Sequence, residues 1–416
     1  MDGYSGRERV EWNRPRPAAV GSRRWRAHGA HGPESVAMPH RGVRPWLTGR
    51  AELRVMAAET ADSQAEQKPV RLDGSRGEGG GQILRTALTL ALLTGRPFRM
   101  SRIRANRDKP GLRPQHKTAV EAAVELGHAQ VTGAAVGSRE LTFRPAPYEP
   151  RDLTIDIGTA GSTGLVLQTL HLPLALRASS PVRVVLGGGT FNPKAPAYSF
   201  LESTWRAYLA AFGMPMALTM PAAGFFPRGG GQLEAWIEPA TPRAWVQADR
   251  GPLRRLRGIA GVANLRDDIA RRMRDRAVQR LEAHGLPVEI EIELVQWSSP
   301  GQGAALSLTA EYDGTMIPAT FVGLGERGKP SEAVADEAVD QFLAFEAVPG
   351  AAVDPHSADQ ILLPLAFAPD RSEFTVSEVT EHLRTNVDTI AAFLDRSITI
   401  EEPAGEGQPG RVIIAR

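Results

Sequence analysis

A glycine-rich segment at residues 77–82 could hold a phosphate with its backbone amides. It reads Gly-Glu-Gly-Gly-Gly-Gln and stands between a short apolar strand and an apolar helix. Glycines let backbone N–H groups approach an anion closely, and a helix N-terminus adds partial positive charge. The segment has neither the Gly-Lys-Ser/Thr ending of a P-loop nor the glycine spacing of a dinucleotide-binding fold. Taken alone, it also fits an ordinary tight turn.

Charged residues around this segment favour a nucleotide phosphate accompanied by a metal ion. Glu78 would repel a phosphate unless a divalent cation lay between the two. Arg85 follows one helical turn later, and residues 104–117 hold five basic residues and one histidine. Arginine forks suit bidentate phosphate contacts, and the prolines and glycine within 104–117 indicate a loop. A charged surface loop in an arginine-rich protein is the alternative for this segment.

The elements that would position these residues recur three times along the chain. A tight turn leads into an apolar helix at residues 82, 162 and 357, and each copy adds a second helix and further strands. The predicted helices cover 82–93, 116–126, 163–174, 199–212, 358–367 and 385–394, and the main predicted strands cover 129–132, 140–144, 155–157, 182–186 and 373–376. This pattern predicts an α/β fold of the α+β type, with three βαβα-type repeats whose helices pack on mixed sheets.

The spacing of the repeats predicts an inserted domain. The first two turns lie 80 residues apart, whereas the second and third lie 195 apart. The excess has the size of a small domain. We therefore predict a core of three repeats at 66–244 and 332–416 and an inserted small α/β domain at 245–331. Within the insertion, the predicted elements are a helix at 266–284 and strands at 288–296, 304–312 and 316–322.

Composition excludes several classes of protein. The 416 residues include no cysteine, which excludes disulfides, thiolate metal sites and cysteine nucleophiles and predicts a cytoplasmic location. No apolar run is long enough to span a membrane, so no membrane association is expected. Residues 1–55 contain 11 arginines against 5 acidic residues, which leaves 38 basic and 42 acidic residues in the rest. Any basic groove in the body of the protein must therefore be local.

The first 65 residues are predicted to lie outside the folded part. Residues 1–55 are rich in arginine, proline and glycine and have no sustained hydrophobic period, which is typical of disorder. Met56 is followed by Ala-Ala-Glu-Thr-Ala-Asp, a pattern that fits a natural start. We interpret residues 1–65 as a disordered or misassigned extension, with a weak RNA-binding tail as the alternative.

The motifs of the chain resemble the RNA 3′-terminal phosphate cyclase family over about residues 70–416. The matching blocks are, in order, 73–85, 103–116, 158–169, 188–190, 226–231, 358–360 and 382–386. The resemblance implies a large domain of three repeats with a small inserted domain. Ser357 and Phe191 depart from the family's usual leucine and polar residue, and residues 1–55 match nothing in it.

The resemblance also implies a role for each candidate residue. His382 matches the histidine that is adenylylated, and Glu78 matches a carboxylate that holds Mg²⁺ or Mn²⁺. Arg104 matches a residue that binds the RNA end or a terminal phosphate. The remaining matches are to ATP-binding positions: Arg85, Arg107, Gln115, Gln168, His356, Ser357, Ala358, Asp359 and Gln360. A helix N-cap is the structural alternative for Asp359.

The resemblance implies that the chain is an ATP-dependent nucleotidyl transferase of the ligase class. In that chemistry a histidine takes AMP from ATP, AMP passes to an RNA 3′-phosphate, and the 2′-hydroxyl closes a 2′,3′-cyclic phosphate. ATP and RNA with a 3′-phosphate end are thus the expected partners, in RNA processing or repair, and a homodimer is expected by analogy.

Three other functions compete with this interpretation. A non-catalytic cyclase-like protein of RNA processing or ribosome assembly would have no need for His382, Glu78 and Arg85 together. An enolpyruvyl transferase, built from related repeats, would carry lysine and arginine motifs that this chain lacks. A general single-stranded RNA-binding module would need stacking residues, but the chain has only 13 Phe, 7 Trp and 5 Tyr.

Overall fold

The computed structural model describes residues 68–77 and 81–416 of the chain. The extension at 1–65 and Glu78 lie outside these residues. The described helices are α1 (Gln82–Thr94), α2 (Pro114–Gly127), α3 (Thr163–Arg177), α4 (198–211), α5 (Asp267–His284), α6 (Ser331–Glu346), α7 (Pro355–Ala366) and α8 (Glu381–Ala391). Helix α4 consists of Tyr198–Phe200, a π-helical turn at Leu201–Trp205, and Arg206–Ala211. Of these helices, none has both the length and the apolar character needed to cross a bilayer.

Sixteen strands accompany the helices in the described part of the chain. They are β1 (Val70–Asp73), β2 (Phe98–Ser101), β3 (Gln130–Thr132), β4 (Leu141–Arg144), β5 (Leu153–Asp156), β6 (Val182–Gly188), β7 (Met216–Ala222), β8 (Gly231–Ile237), β9 (Val246–Gln247), β10 (Leu253–Ala263), β11 (Ile290–Gln296), β12 (Gly303–Tyr312), β13 (Ala319–Leu324), β14 (Ser372–Val376), β15 (Ser397–Glu401) and β16 (Gly410–Ala415). They form four sheets of four strands each.

Three of these sheets share one arrangement. Their strand orders are β1-β2-β4-β3, β5-β6-β8-β7 and β9-β14-β16-β15. In each sheet the first two strands run parallel and the other neighbours run antiparallel. A parallel pair requires a crossover connection, which α1 supplies in the first sheet and α3 in the second. The predicted α/β class with helices and mixed sheets is confirmed.

The fourth sheet has a different order and a core of its own. Its strands follow the order β11-β10-β12-β13, with β10 and β11 parallel. Apolar side chains of this sheet, α5 and α6 form a buried cluster that begins at Leu256 and ends at Ala351. Helix α6 packs against β12, β13 and α5. The predicted limits of the inserted domain, 245 and 331, stay predictions.

Helix α1 occupies the centre of the helical layer on the larger core. Its residues from Ile83 to Leu92 are buried, apart from Arg85, which is half-buried, and Gly95 ends the helix in the left-handed conformation with φ of 71°. Helix α1 contacts α2, α3 and α8. The two described ends of the glycine-rich segment lie against two of these helices: Gly77 against Thr385 of α8, and Gly81 against His116 of α2.

Helices α7 and α8 begin earlier than the sequence predicts. The predicted starts were 358 and 385, whereas the helices begin at Pro355 and Glu381. Asp354 caps α7 through Oδ1, which accepts the backbone N–H groups of His356 and Ser357 at 3.0 Å. Thr380 caps α8 in the same way, with Leu383 as donor at 3.1 Å. The alternative of Asp359 as N-cap is therefore wrong, and His382 lies in the first turn of α8.

Candidate active site

A cleft of about 2330 Å³ is lined by residues of α1, α3, α7 and α8 and by the loop before α2. It gathers predicted site residues that stand far apart in the sequence. Nine of them line it: Arg85, Arg104, Arg107, Gln115, Gln168, His356, Asp359, Gln360 and His382. Three of the nine are arginines and one is a carboxylate, so this part of the cleft suits an anionic ligand.

Two predicted ATP-binding residues do not line the cleft. The side chains of Ser357 and Ala358 are fully buried, at 0% exposure each. They lie on the inner face of α7, which packs on the core. Their predicted contacts with ATP stay predictions, and side-chain contacts would require a movement of α7.

Polar contacts join α1, α7 and α8 at the floor of the cleft. Gln82 Nε2 donates to Asp359 Oδ2 at 3.3 Å. Asn386 bridges the other two helices, because its Nδ2 donates to the Asp359 carbonyl at 2.7 Å and its Oδ1 accepts from Thr86 Oγ1 at 2.8 Å. Among the described residues, Asp359 Oδ1 and Gln82 Oε1 have no hydrogen-bond partner although both are buried. Buried acceptors of this kind fit a ligand that donates hydrogen bonds.

Arg85 and Asp359 form an electrostatic pair on this floor. Burial raises the pKa of the Asp359 carboxyl to about 7, and Arg85 partly offsets this effect. Burial likewise lowers the pKa of the Arg85 guanidinium to about 10, against the attraction of Asp359. Arg85 therefore stays charged at neutral pH in poorly hydrated surroundings, where its attraction for a phosphate is stronger than in water.

His116 offers an uncharged hydrogen-bond donor at the glycine-rich segment. Burial, with Arg85, Arg104 and Arg113 nearby, lowers its pKa to about 3. The backbone N–H of Arg113 donates to His116 Nδ1 at 3.1 Å, so the proton of the neutral ring lies on Nε2. A side chain on Gly81 would collide with this Nε2. His116 belongs to the block 103–116 that resembles the family, but the sequence analysis did not predict it as a site residue.

Gln168 on α3 and residues of α7 form one wall of the cleft, next to the floor. Gln168 Nε2, on α3, donates to Gln360 Oε1. Gln360 Nε2 in turn donates to the carbonyl of His356 at 2.9 Å. The exposed ring of His356 lies at the start of this wall. These three predicted ATP-binding residues are thus adjacent in space.

The basic loop before α2 is folded onto itself by Arg104. Its Nη1 donates to the carbonyls of Lys109 at 2.8 Å and Gly111 at 3.1 Å, and its own φ is 53°. Burial and the charges of Arg113 and Arg107 lower the pKa of Arg104. Cations that lie close enough to lower the pKa of Arg104 in this way attract a polyanion.

The glycine-rich segment also contacts α8. Gly77 has φ of 52°, and a Cβ at this position would collide with Thr385 Oγ1. Only glycine accommodates both the left-handed backbone and the close approach. As a result, Gly77 lies against Thr385, which follows His382 by three residues in α8.

Four histidines line the cleft: His116, His171, His356 and His382. His171 is buried, its pKa is lowered to about 3 by burial, and it packs edge-on against Trp205 with ring centres 5.2 Å apart. His382 is half-buried and follows the capping residue of α8 by two positions. His128 and His284 lie at helix C-termini away from the cleft.

The metal prediction rests on a residue outside the described part. Among residues 68–77 and 81–416, no group of three or more His, Asp and Glu side chains could hold a metal ion. Mg²⁺ is commonly held by one or two carboxylates, with substrate phosphates as further ligands. A single carboxylate at position 78, three residues before the cleft-lining Gly81 in the sequence, fits that pattern. The metal site stays a prediction.

Comparison with known proteins identifies the family. The family model for RNA 3′-terminal phosphate cyclase matches residues 76–400. A protein of that name from Ralstonia nicotianae is 43% identical over 334 residues, which are 80% of this chain and 93% of the relative. Namesakes from Pyrobaculum neutrophilum and Nostoc punctiforme are 41% and 40% identical, over 80% of this chain and 95% and 96% of their own lengths. The chain belongs to the RNA 3′-terminal phosphate cyclase family.

Proposed function

We propose that the chain uses ATP to convert an RNA 3′-terminal phosphate to a 2′,3′-cyclic phosphate, with His382 as the covalently adenylylated residue. The carrying observation is that His382, on α8, lines the same cleft as Arg85 on α1 and Arg107 on the basic loop. A nucleophilic imidazole next to phosphate-binding arginines is the set of groups that nucleotidyl transfer requires. Membership of the family supports the choice of RNA ends as acceptor.

The first step is transfer of AMP to the enzyme. A ring nitrogen of His382 attacks the α-phosphorus of ATP, and the bond from that phosphorus to the oxygen of the β-phosphate breaks. Pyrophosphate leaves with the electron pair of that bond. Arg85 and Arg107 would bind the leaving phosphates and take up their charge. The Nε2–H of His116 would donate a further hydrogen bond without adding charge.

The second and third steps act on the RNA end. An oxygen of the 3′-phosphate attacks the phosphorus of the bound AMP, the N–P bond breaks, and the imidazole is restored. The 2′-hydroxyl oxygen then attacks the phosphorus of the 3′-phosphate. The phosphoanhydride bond to AMP breaks, the hydroxyl proton is lost, and the cyclic phosphate remains. Arg104 would bind the RNA phosphate during both steps.

The nucleoside of ATP would occupy the wall formed by Gln168, His356 and Gln360. The unpartnered acceptors Asp359 Oδ1 and Gln82 Oε1 suit ribose hydroxyl donors. Mg²⁺ or Mn²⁺ held by Glu78 would supply further positive charge against the phosphates. A homodimer and a cytoplasmic location stay predictions. The absence of cysteine supports the second.

Labelling with ATP radioactive at the α-phosphate tests the nucleophile. We expect an AMP adduct on the denatured protein that survives alkali, is lost in acid and is absent from His382→Ala. His128→Ala, which removes a histidine away from the cleft, is the matched control and should label like the wild type. If His382→Ala labels equally well, His382 is not the nucleophile. A cooperative unfolding transition in His382→Ala excludes misfolding as the cause of lost label.

A second experiment separates the enzyme from a non-catalytic relative. RNA with a 3′-phosphate is incubated with the protein, ATP and Mn²⁺, and then treated with phosphatase. A phosphatase-resistant end is the expected product. A protein that neither labels nor protects the RNA end would favour a non-catalytic role in RNA processing or ribosome assembly. Labelling without protection would point to a different acceptor.

A further inference from the structure

Phe226 is the one aromatic residue among the large hydrophobic side chains that the described residues leave exposed. It is 62% exposed and lines the same cleft as His382. The other exposed apolar residues, Val136, Val246, Leu294 and Met316, lie outside the cleft. An apolar ring in a polar, basic cleft exposes surface to water that a flat apolar ligand would cover.

Ring stacking and hydrogen bonds stabilise the turn that carries Phe226. The preceding Phe225 is buried and stacks on Phe191, with ring centres 5.0 Å apart and planes 7° apart. Gly229 N–H closes the turn on the Phe225 carbonyl at 2.8 Å. Gly224 N–H donates to Thr190 Oγ1 at 3.0 Å. A ring on a fixed turn loses little conformational entropy when it stacks on a ligand.

A cation, Lys194, lines the same cleft as this ring. Phe191 and Phe225 form a parallel bridge, so the segments that carry Lys194 and Phe226 follow two paired residues. Lys194 is exposed, lines the cleft and has φ of 59°, a conformation that a lysine adopts only when its surroundings impose it. An aromatic ring and a positive charge in one cleft can bind single-stranded nucleic acid, with stacking on a base and attraction for the backbone phosphate.

Two nucleobases would enter the cleft in the proposed reaction, the adenine of ATP and the terminal base of the RNA. The predicted ATP-binding residues Gln168, His356 and Gln360 form one connected wall on α3 and α7. Phe226 lies on a different element, the connection between β7 and β8. Stacking is also tolerant of base identity, which suits an acceptor that can end in any of four bases.

We propose that Phe226 is a positioning residue that stacks on the terminal base of the RNA acceptor, with Lys194 beside the adjoining phosphodiester. The inference rests on the proposed function for the nature of the acceptor. Stacking there would fix the last nucleotide, so that its 3′-phosphate reaches the adenylylated histidine. Removal of the ring should weaken RNA binding but leave adenylylation of the protein unchanged.

Equilibrium binding tests this without requiring catalysis. A short single-stranded RNA with a 3′-phosphate and a 5′ fluorophore is titrated with protein, and Kd is read from anisotropy. Phe226→Ala should raise Kd about tenfold, and Phe226→Trp should stay within about twofold of the wild type. Met316→Ala, which removes a 94% exposed apolar side chain outside the cleft, is the matched control and should not change Kd. Equal Kd values for Phe226→Ala and the wild type overturn the proposal.

An RNA whose last nucleotide lacks its base completes the test. It should bind the wild type about tenfold more weakly than the intact RNA, with no further loss in Phe226→Ala. Additive losses would show that the ring and the base do not contact each other, and would overturn the proposal. Labelling at limiting ATP tests whether the ring stacks on adenine instead. If Phe226→Ala needs more ATP than the wild type for the same labelling, Phe226 stacks on the adenine of ATP, and the proposal is overturned. A wild type that never labels but passes the binding cycle refutes the proposed function and leaves this inference standing.

Discussion

Gln82 and Asp359 are joined by a hydrogen bond of 3.3 Å across 277 residues of sequence. Gln82 is the first residue of α1, and Asp359 lies in α7. The bond joins the end of the glycine-rich segment to the wall that carries the predicted nucleotide contacts. It also leaves one acceptor on each side chain without a partner among the described residues. The position of α1 relative to α7 therefore determines the shape of the cleft between the glycine-rich segment and this wall.

Replacement of Asp359 by asparagine should alter the pH dependence of stability. Burial raises the pKa of this carboxyl from 3.8 to about 7. The stability that the protonated form contributes is fully present below the unfolded pKa and is lost as pH rises through the folded pKa. Because asparagine resembles the protonated form, Asp359→Asn should gain free energy of unfolding relative to the wild type between pH 5 and pH 8. Urea denaturation at both pH values measures this gain. If the difference in free energy of unfolding between Asp359→Asn and the wild type were the same at both pH values, Asp359 would not have a raised pKa.

Replacement of Arg85 should impair adenylylation even when the charge is kept. A lysine cannot reproduce the planar fork that binds two phosphate oxygens. We expect Arg85→Lys to lower kcat/KM for ATP about tenfold and Arg85→Ala about a hundredfold, in the range for loss of a phosphate-stabilising donor. Arg99→Lys, at an exposed pair with Glu140 outside the cleft, is the control. If Arg85→Ala labels as fully as the wild type, Arg85 does not bind the phosphates of ATP.

The buried bond between Thr86 and Asn386 should support both stability and the position of His382. Thr86→Val removes the donor at 2.8 Å and leaves Asn386 Oδ1 buried without a partner. The expected loss in free energy of unfolding is roughly 1–3 kcal/mol. The rate of AMP labelling should also fall, since Asn386 lies one turn after His382. Thr118→Val is the matched control, because that hydroxyl bonds only within its own helix. An unchanged labelling rate in a destabilised Thr86→Val would show that the bond does not position His382.

His116 should make the fold sensitive to acid. Its pKa is lowered from 6.5 to about 3 by burial and by three arginines nearby. Stability from such a group is present above the unfolded pKa and is lost as pH falls towards the folded pKa. The wild type should therefore lose more stability than His116→Gln between pH 7 and pH 5, as measured by urea denaturation. The variant should still form the AMP adduct, because His382 is the proposed nucleophile. A variant that cannot label would show that His116 is required for adenylylation.

The sequence by itself determined the local features of this protein. A glycine segment between an apolar strand and an apolar helix predicts the turn into α1, because only backbone freedom and a short hydrophobic period are needed to recognise it. The cations of residues 104–117 and the histidine at 382 were likewise readable as residue types. Starts of helices were less accurate, since the caps Asp354 and Thr380 precede the apolar period on which the prediction relied.

Only the tertiary structure decided which of these features meet. The central position of α1 against α3 and α8 brings Arg85 and His382 to one cleft, and this depends on long-range packing that no local pattern encodes. The same packing removes water from Arg85, Asp359 and His116, and desolvation, more than residue type, sets their pKa values. It also buries Ser357 and Ala358 while leaving Phe226 exposed. Burial is a property of all the chain that surrounds a residue, which is why the sequence could name the chemical groups but not their surroundings.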